Sequence, residues 1–191
     1  MNLKSCYTPG IVEAGLDEAG RGCLAGPVYA AAVILPPDYV NERLNDSKQL
    51  TAHQRNRLRE EIQRDAVCYA VASSTAQEID QINILRASIL AMHRAVDKLS
   101  VRPQALIVDG NRFTPYHDVP HTTIIHGDAT YLSIAAASIL AKTYRDDFMA
   151  DLHMQYPQYH WDCNAGYPTK AHRQANAEYG LSPFHRVTFR Q

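Results

Sequence analysis

Residues 11–27 read Ile-Val-Glu-Ala-Gly-Leu-Asp-Glu-Ala-Gly-Arg-Gly-Cys-Leu-Ala-Gly-Pro. The apolar run over 11–17 predicts a buried strand, and the glycines and proline over 18–27 predict a loop. Asp17 and Glu18 therefore stand where this strand runs out. A carboxylate in such a place is costly unless a partner offsets its charge.

Two further acids occupy similar positions. Asp109 ends the apolar run Ala105–Val108 and is followed by Gly110, and Asp128 comes just after a predicted strand over 122–126. Several carboxylates brought together repel one another, and a divalent cation relieves that repulsion. Mg²⁺ and Mn²⁺ prefer such oxygen ligands. The four acids thus predict metal-dependent chemistry on a phosphate, although Asp128 alone could equally be the N-cap of the helix that follows it.

The hydrophobic pattern predicts an α/β fold, with a mixed five-stranded sheet flanked by helices and a C-terminal helical segment. The predicted strands cover 11–17, 28–35, 66–73, 105–109 and 122–126, and the predicted helices cover 51–65, 85–99, 130–155 and 169–179. Only a loop separates the first two strands, which favours an antiparallel start to the sheet. We expect residues 1–191 to form one domain.

Composition excludes several classes of protein. The net charge is −1, so phosphates would have to be bound by a local basic patch. No apolar run is long enough to span a bilayer, and no apolar signal segment follows Met1. The four cysteines are scattered, which favours reduced thiols and a cytoplasmic protein.

The chain resembles ribonuclease HII in short motifs that occur in order along almost its whole length. These motifs are Gly15–Gly22, Ala25–Val28, Asp46–Lys48, Val108–Asn111, Gly127–Ala129, Ile134–Lys142, Gly166–Thr169 and His172. The resemblance implies an RNase H-like fold and an endonuclease that hydrolyses the RNA strand of RNA–DNA hybrids. It also implies nicking of duplex DNA 5′ to an embedded ribonucleotide, which leaves 3′-hydroxyl and 5′-phosphate ends.

The resemblance also implies roles for individual residues. The catalytic metal ligands would be Asp17, Glu18, Asp109 and Asp128, with Mn²⁺ or Mg²⁺ as cofactor and two ions present when substrate is bound. The loop of Gly20, Arg21 and Gly22 would sense the ribose 2′-hydroxyl, and Tyr167 would read the RNA-to-DNA junction. Lys48 and Lys142 match basic positions of the family motifs, and Arg21, Lys170 and Arg186 are further candidates for phosphate contacts.

Some features depart from the family pattern or concern partners. His126 and Ala165 stand where the family often has lysine, which removes charge near the expected substrate groove.

The C-terminus lacks the glutamine and paired aromatic residues of a sliding-clamp peptide, and the family leads us to expect a monomer. Two rival functions are a DNA resolvase or integrase-like nuclease of the same fold, and a hybrid-binding module without catalysis.

Overall fold

The computed structural model describes residues 3–44 and 50–190. Its sheet has five strands in the order β3-β2-β1-β4-β5. Strands β1, β2 and β3 pair antiparallel, whereas β4 and β5 run parallel to β1. The antiparallel start and the mixed sheet are therefore confirmed. The strands are β1 (Glu13–Ala19), β2 (Val28–Ile34), β3 (Cys68–Ser74), β4 (Ala105–Asp109) and β5 (His121–Ile124).

Six helices accompany the sheet in the described residues: α1 (Ala52–Asp65), α2 (Ala76–Ile82), α3 (Ile84–Asp97), α4 (Leu132–Gln155), α5 (Trp161–Asn164) and α6 (Lys170–Tyr179). Short α2 and α5 were not predicted. Helix α2 begins with a capping box, in which the Thr75 hydroxyl accepts from the Glu78 N–H and the Glu78 carboxylate accepts from the Thr75 N–H. Asn83, at φ 68°, separates α2 from α3.

Helices α3 and α4 cover opposite faces of the sheet. Met92 and Val96 of α3 join one core with β1, β2 and β4, as the apolar stripe of α3 predicts. Helix α4 packs on the other face, and its alanine-rich start allows a close approach. A Cβ on Gly15 of β1 would lie 2.4 Å from the Ser133 carbonyl carbon, so only glycine fits beneath α4 at this point.

The boundaries of three elements differ from the prediction in ways that matter for the site. Strand β1 continues to Ala19, so Asp17 and Glu18 belong to the paired strand and do not follow it. Strand β5 ends at Ile124, and Asp128 lies in a 3₁₀ turn over Gly127–Ala129. The N-cap of α4 is Tyr131, which excludes the N-cap alternative for Asp128.

Nowhere in 3–44 or 50–190 is a helix both long enough and apolar enough to cross a membrane. All four cysteines are free thiols, as predicted.

Candidate active site

Asp17 lies on the α4 side of the sheet, one residue beyond the pairing of Leu16 with Val108. Its side chain is buried, and its Oδ1 accepts a hydrogen bond from the Glu18 N–H at 2.7 Å. Burial raises the pKa of the Asp17 carboxyl well above its ordinary value, and the charges of Glu18 and Asp109 raise it further. A hydrogen bond with Ser138 of α4 opposes this shift. The protein therefore holds three carboxylates together at an electrostatic cost.

Asp109 connects the end of β4 to the turn that carries Asp128. Its Oδ1 accepts a hydrogen bond from the Gly127 N–H at 2.8 Å. Asp128 follows directly and is buried, with 4% of its surface exposed. Asp17, Glu18 and Asp109 are thus close enough for their charges to interact, and the hydrogen bond from Gly127 ties the turn that carries Asp128 to Asp109.

An open cleft of about 490 Å³ lies above these acids. Asp17, Glu18 and Asp109 line it together with three basic residues, whereas Asp128 is not among its lining residues. The basic residues are Arg21, Arg55 and Lys142. A pocket lined by both acidic and basic side chains suits a phosphate that approaches a cation-binding centre.

All three of these basic residues also have acidic partners, and the Arg55 guanidinium lies 4.0 Å from the Asp146 carboxylate. The Arg21 guanidinium lies 3.2 Å from the Glu18 carboxylate and is half exposed. Lys142 donates a hydrogen bond to Asp146, one helical turn further along α4. Ion pairs that are partly exposed to solvent contribute little to stability, so these cations can still bind a stronger anionic partner.

The loop after β1 is held from behind by Arg186, which is completely buried. Its guanidinium donates to the carbonyl oxygens of Gly20 at 2.7 Å, Arg21 at 2.9 Å and Gly26 at 3.0 Å. Burial lowers the pKa of Arg186 to about 10. The expectation that Arg186 contacts phosphate is therefore wrong, because its guanidinium donates hydrogen bonds to backbone carbonyls and is buried away from solvent.

A second buried arginine, Arg145 of α4, was missed by the sequence analysis. It donates to the carbonyl oxygens of Pro27 at 3.0 Å, Ala165 at 2.8 Å and Ala25 at 3.1 Å. Its position could have been noticed, because Ala141, Arg145 and Met149 recur at four-residue spacing on the buried face of α4. Arg145 thereby links the loop after β1 to the segment before Tyr167.

The two glycines of this loop have different surroundings. Gly20 has φ +95°, and a Cβ there would lie 2.1 Å from Arg145 Nε. No atom lies within 4 Å of the corresponding position on Gly22. The chain itself therefore requires glycine at position 20, whereas the space beside Gly22 is open to a ligand.

Tyr167 lies on the rim of the same cleft with 38% of its surface exposed. Its ring centroid is 5.7 Å from Lys142 Nζ and 5.8 Å from the Arg145 guanidinium carbon. Burial raises the pKa of its hydroxyl, and the neighbouring Cys23 thiol raises it further. The ring is thus fixed at one edge and open at the other.

Other candidate residues lie outside this cluster. Lys48 falls outside the described residues, while Lys170 is exposed at the start of α6. Ala165 has φ 46° and its carbonyl accepts from Arg145, and His126 is exposed with φ 57°. Arg55 and Ser138 line the cleft but were not singled out from the sequence, since neither belongs to an acidic or glycine-rich motif.

The donor set suits a hard divalent cation. The side chains are carboxylates. Burial first, and then the charges of Glu18 and Asp109, raise the pKa of Asp17, and a divalent cation bound there would offset that cost. Among the described residues, no group of three or more His, Cys, Asp or Glu side chains is arranged so that it could hold a metal ion by itself. Such an open arrangement fits Mg²⁺ or Mn²⁺, which commonly keep waters and take further ligands from substrate phosphate.

Comparison with known proteins identifies relatives over most of the chain. The family model described as Ribonuclease HII matches residues 14–191. A ribonuclease HII of Bacteroides thetaiotaomicron is 68% identical over 179 residues, which cover 94% of this chain and 90% of that protein.

Solved structures show the same fold. Ribonuclease H2 from Pyrococcus horikoshii has a TM-score of 0.77 and 27% identity, covering 93% of both chains. Bst-RNase HIII, solved in complex with Mn²⁺, has a TM-score of 0.71 and 17% identity, covering 94% of this chain and 67% of that one.

Proposed function

The chain belongs to the ribonuclease HII family, whose members hydrolyse the RNA strand of RNA–DNA hybrids, and we propose that the acidic cleft is where this hydrolysis takes place. The observation that supports this most strongly is the meeting of three elements in one cleft. The carboxylates of β1 and β4, the glycine loop and Tyr167 all line it. The RNase H-like fold and the divalent-metal dependence of the family agree with this assignment.

We propose that Asp17, Glu18, Asp109 and Asp128 would hold Mn²⁺ or Mg²⁺, with two ions when substrate is bound. When bound, such ions supply an activated water and stabilise the charge that develops on a leaving 3′ oxygen. The carboxylates of this chain provide the oxygen ligands, and the substrate phosphate completes the set. The Mn²⁺ in the Bst-RNase HIII structure supports a divalent ion in this fold.

The glycine loop is suited to recognising a ribose. A 2′-hydroxyl both donates and accepts hydrogen bonds, and it is the group that distinguishes RNA from DNA. Arg186 fixes the carbonyls of Gly20 and Arg21 from the protein side, and the open space at Gly22 admits a sugar close to the backbone. A backbone recognition element held this firmly is preorganised for its ligand.

Tyr167 and the basic rim would position the substrate strand. The exposed edge of the Tyr167 ring can pack on the deoxyribose that follows a ribonucleotide, where an added hydroxyl would clash. Lys142, Arg21 and Arg55 are placed to contact phosphates around the cleft. We therefore propose that the enzyme also nicks duplex DNA 5′ to an embedded ribonucleotide and leaves 3′-hydroxyl and 5′-phosphate ends.

The test uses an end-labelled RNA–DNA hybrid and an all-DNA duplex of the same sequence, with Mg²⁺, Mn²⁺ or EDTA. We expect cleavage of the hybrid with either metal, no cleavage in EDTA, and an intact DNA duplex. Asp109→Asn should bind the hybrid in a mobility-shift assay without cutting it. Equal cutting of both duplexes would favour a resolvase-like nuclease, and hybrid binding by the wild type without cleavage would favour a silent binding module.

A further inference from the structure

A continuous chain of hydrogen bonds lies buried behind Tyr167. The Ser182 N–H lies 2.9 Å from His185 Nδ1, and His185 Nε2 lies 3.1 Å from His172 Nε2. Trp161 Nε1 also lies 3.1 Å from His172 Nε2, and His172 Nδ1 lies 2.9 Å from the Tyr167 carbonyl oxygen. The cleft-lining role of Tyr167 does not by itself account for this network.

The donors in the network determine the tautomer of each imidazole. A backbone N–H can only donate, so His185 accepts on Nδ1 and carries its proton on Nε2. The Trp161 indole N–H also can only donate. Both donors point at His172 Nε2, which is therefore unprotonated. The His172 proton is consequently on Nδ1, directed at the carbonyl of Tyr167.

Burial keeps both rings neutral. His172 and His185 are 0% and 2% exposed. Desolvation lowers the pKa of His172, and desolvation together with the neighbouring His172 lowers the pKa of His185 to about 4. The Tyr159 ring stacks on Trp161, with ring centroids 4.9 Å apart, and so covers the indole that donates to His172. The chain of donors thus has one direction, which ends at Tyr167.

The backbone of Tyr167 is held at both ends of the residue. Its N–H donates to the Asn164 carbonyl at 2.8 Å, and its carbonyl accepts from the Thr169 N–H at 2.8 Å as well as from His172. The His172 bond is the one that comes from a side chain of α6. His185 also directly precedes Arg186, so one C-terminal segment braces both the glycine loop and Tyr167.

We propose that His172 is a positioning residue for Tyr167, with its tautomer set by His185 and Trp161. This inference rests on the proposed function, in which Tyr167 reads the junction between a ribonucleotide and DNA. The Nδ1–H donor fixes the backbone of Tyr167 and thereby the height of its ring above the cleft. The network then contributes to selectivity for the junction, beyond its contribution to stability.

Two substitutions of His172 separate the two roles. Asparagine places an amide near the former Nδ1 position, so His172→Asn keeps a donor for Tyr167 but leaves His185 and Trp161 without their acceptor. Glutamine reaches the former Nε2 position, so His172→Gln keeps that acceptor but loses the donor for Tyr167. Stability should therefore decrease more in His172→Asn, whereas junction selectivity should decrease more in His172→Gln.

Selectivity is measured as the ratio of kcat/KM on a DNA duplex with one ribonucleotide to kcat/KM on a uniform hybrid, which has no junction. A misplacement of about 1 Å near a reacting centre costs on the order of 100-fold. We accordingly expect His172→Gln to lose roughly ten- to 100-fold of this ratio. His172→Asn should stay within about threefold of the wild type, a shift of less than 0.7 kcal/mol at about 1.4 kcal/mol per tenfold. Thermal melts report the stability of each variant.

The proposal would be supported if His172→Asn loses more stability and His172→Gln loses more selectivity. Selectivity that follows stability, or that is unchanged in His172→Gln, would overturn it. Tyr167→Ala is the reference variant. If it retains full selectivity while it still cleaves the hybrid, the role assigned to Tyr167 is wrong. That result differs from one in which Tyr167 matters for selectivity but His172 does not position it. Should His172→Asn not fold, His172→Gln against Tyr167→Ala still decides, because glutamine preserves the buried acceptor.

Discussion

Gly20→Ala is the substitution whose effect the structure defines most directly. The residue has φ +95°, and its new Cβ would lie 2.1 Å from Arg145 Nε, 2.5 Å from Cδ and 2.8 Å from Cζ. A positive φ costs a non-glycine residue about 1–3 kcal/mol. The clash also displaces a buried guanidinium that donates to three carbonyls, and each unsatisfied group costs about 1–3 kcal/mol. Allowing for partial relaxation, we expect a loss of about 3–5 kcal/mol in the free energy of unfolding.

Gly22→Ala is the matched control. No atom lies within 4 Å of its new methyl group, so its stability should stay within about 0.5 kcal/mol of the wild type. The methyl would instead occupy the space that we assign to the ribose. We therefore expect an almost unchanged melting temperature together with a sharp loss of hybrid cleavage.

Urea denaturation and thermal melts of the two variants and the wild type measure stability. Cleavage of an RNA–DNA hybrid is measured at a temperature where all three are folded. Gly20→Ala should lower the melting temperature by about 6–20 °C, at about 2–4 °C per kcal/mol for a chain of this size. Equal stability of the two alanine variants would refute the role of Arg145 behind Gly20. Full activity of Gly22→Ala would remove the loop from the substrate site.

Three further predictions follow from the same geometry. Asp17→Asn should abolish cleavage yet raise stability by about 0.5–2 kcal/mol. Because the pKa of Asp17 is raised in the folded state, wild-type stability falls as pH rises from the ordinary pKa of an aspartate to the raised pKa of Asp17. The difference in melting temperature between Asp17→Asn and the wild type should therefore widen over that pH range. A constant gap at all pH values would contradict this. Arg186→Met should lower stability by about 3–5 kcal/mol in urea denaturation, because a buried donor to Gly20, Arg21 and Gly26 is lost. A loss of activity without a loss of stability would instead indicate that Arg186 binds phosphate. Mn²⁺ should raise the melting temperature of the wild type but not of Asp17→Asn, because a ligand stabilises the state that binds it, and an equal shift in both would place the ion elsewhere.

The sheet was predictable because its strands are apolar runs separated by clear turns. The antiparallel pairing of β1 with β2 followed from the short loop between them, and the position of Asp109 followed from the end of its strand. Helix α2 was missed because its seven residues carry too little periodicity, although Thr75 and Glu78 form a capping box. Asp128 could not be assigned from its spacing alone, since a carboxylate before a helix is also the pattern of an N-cap.

The surroundings of the candidate site were harder to predict. Arg145 and Arg186 are charged residues in a buried layer, and a charge is normally expected at the surface. Five of the six backbone carbonyls that offset their burial lie more than 100 residues away in sequence, and no local pattern contains such partners. The histidine pair behind Tyr167 likewise depends on two segments that meet only in the folded chain.

The central claim is that the carboxylates act on a phosphate chosen by its neighbouring 2′-hydroxyl. Its most direct test uses two DNA duplexes of identical sequence that differ by one 2′-hydroxyl, incubated with the wild-type enzyme and Mg²⁺ or Mn²⁺. The account predicts a single nick on the 5′ side of the ribonucleotide, with a 3′-hydroxyl end, and no product from the all-DNA duplex. Equal nicking of both duplexes, or cuts unrelated to the position of the ribonucleotide, would contradict it.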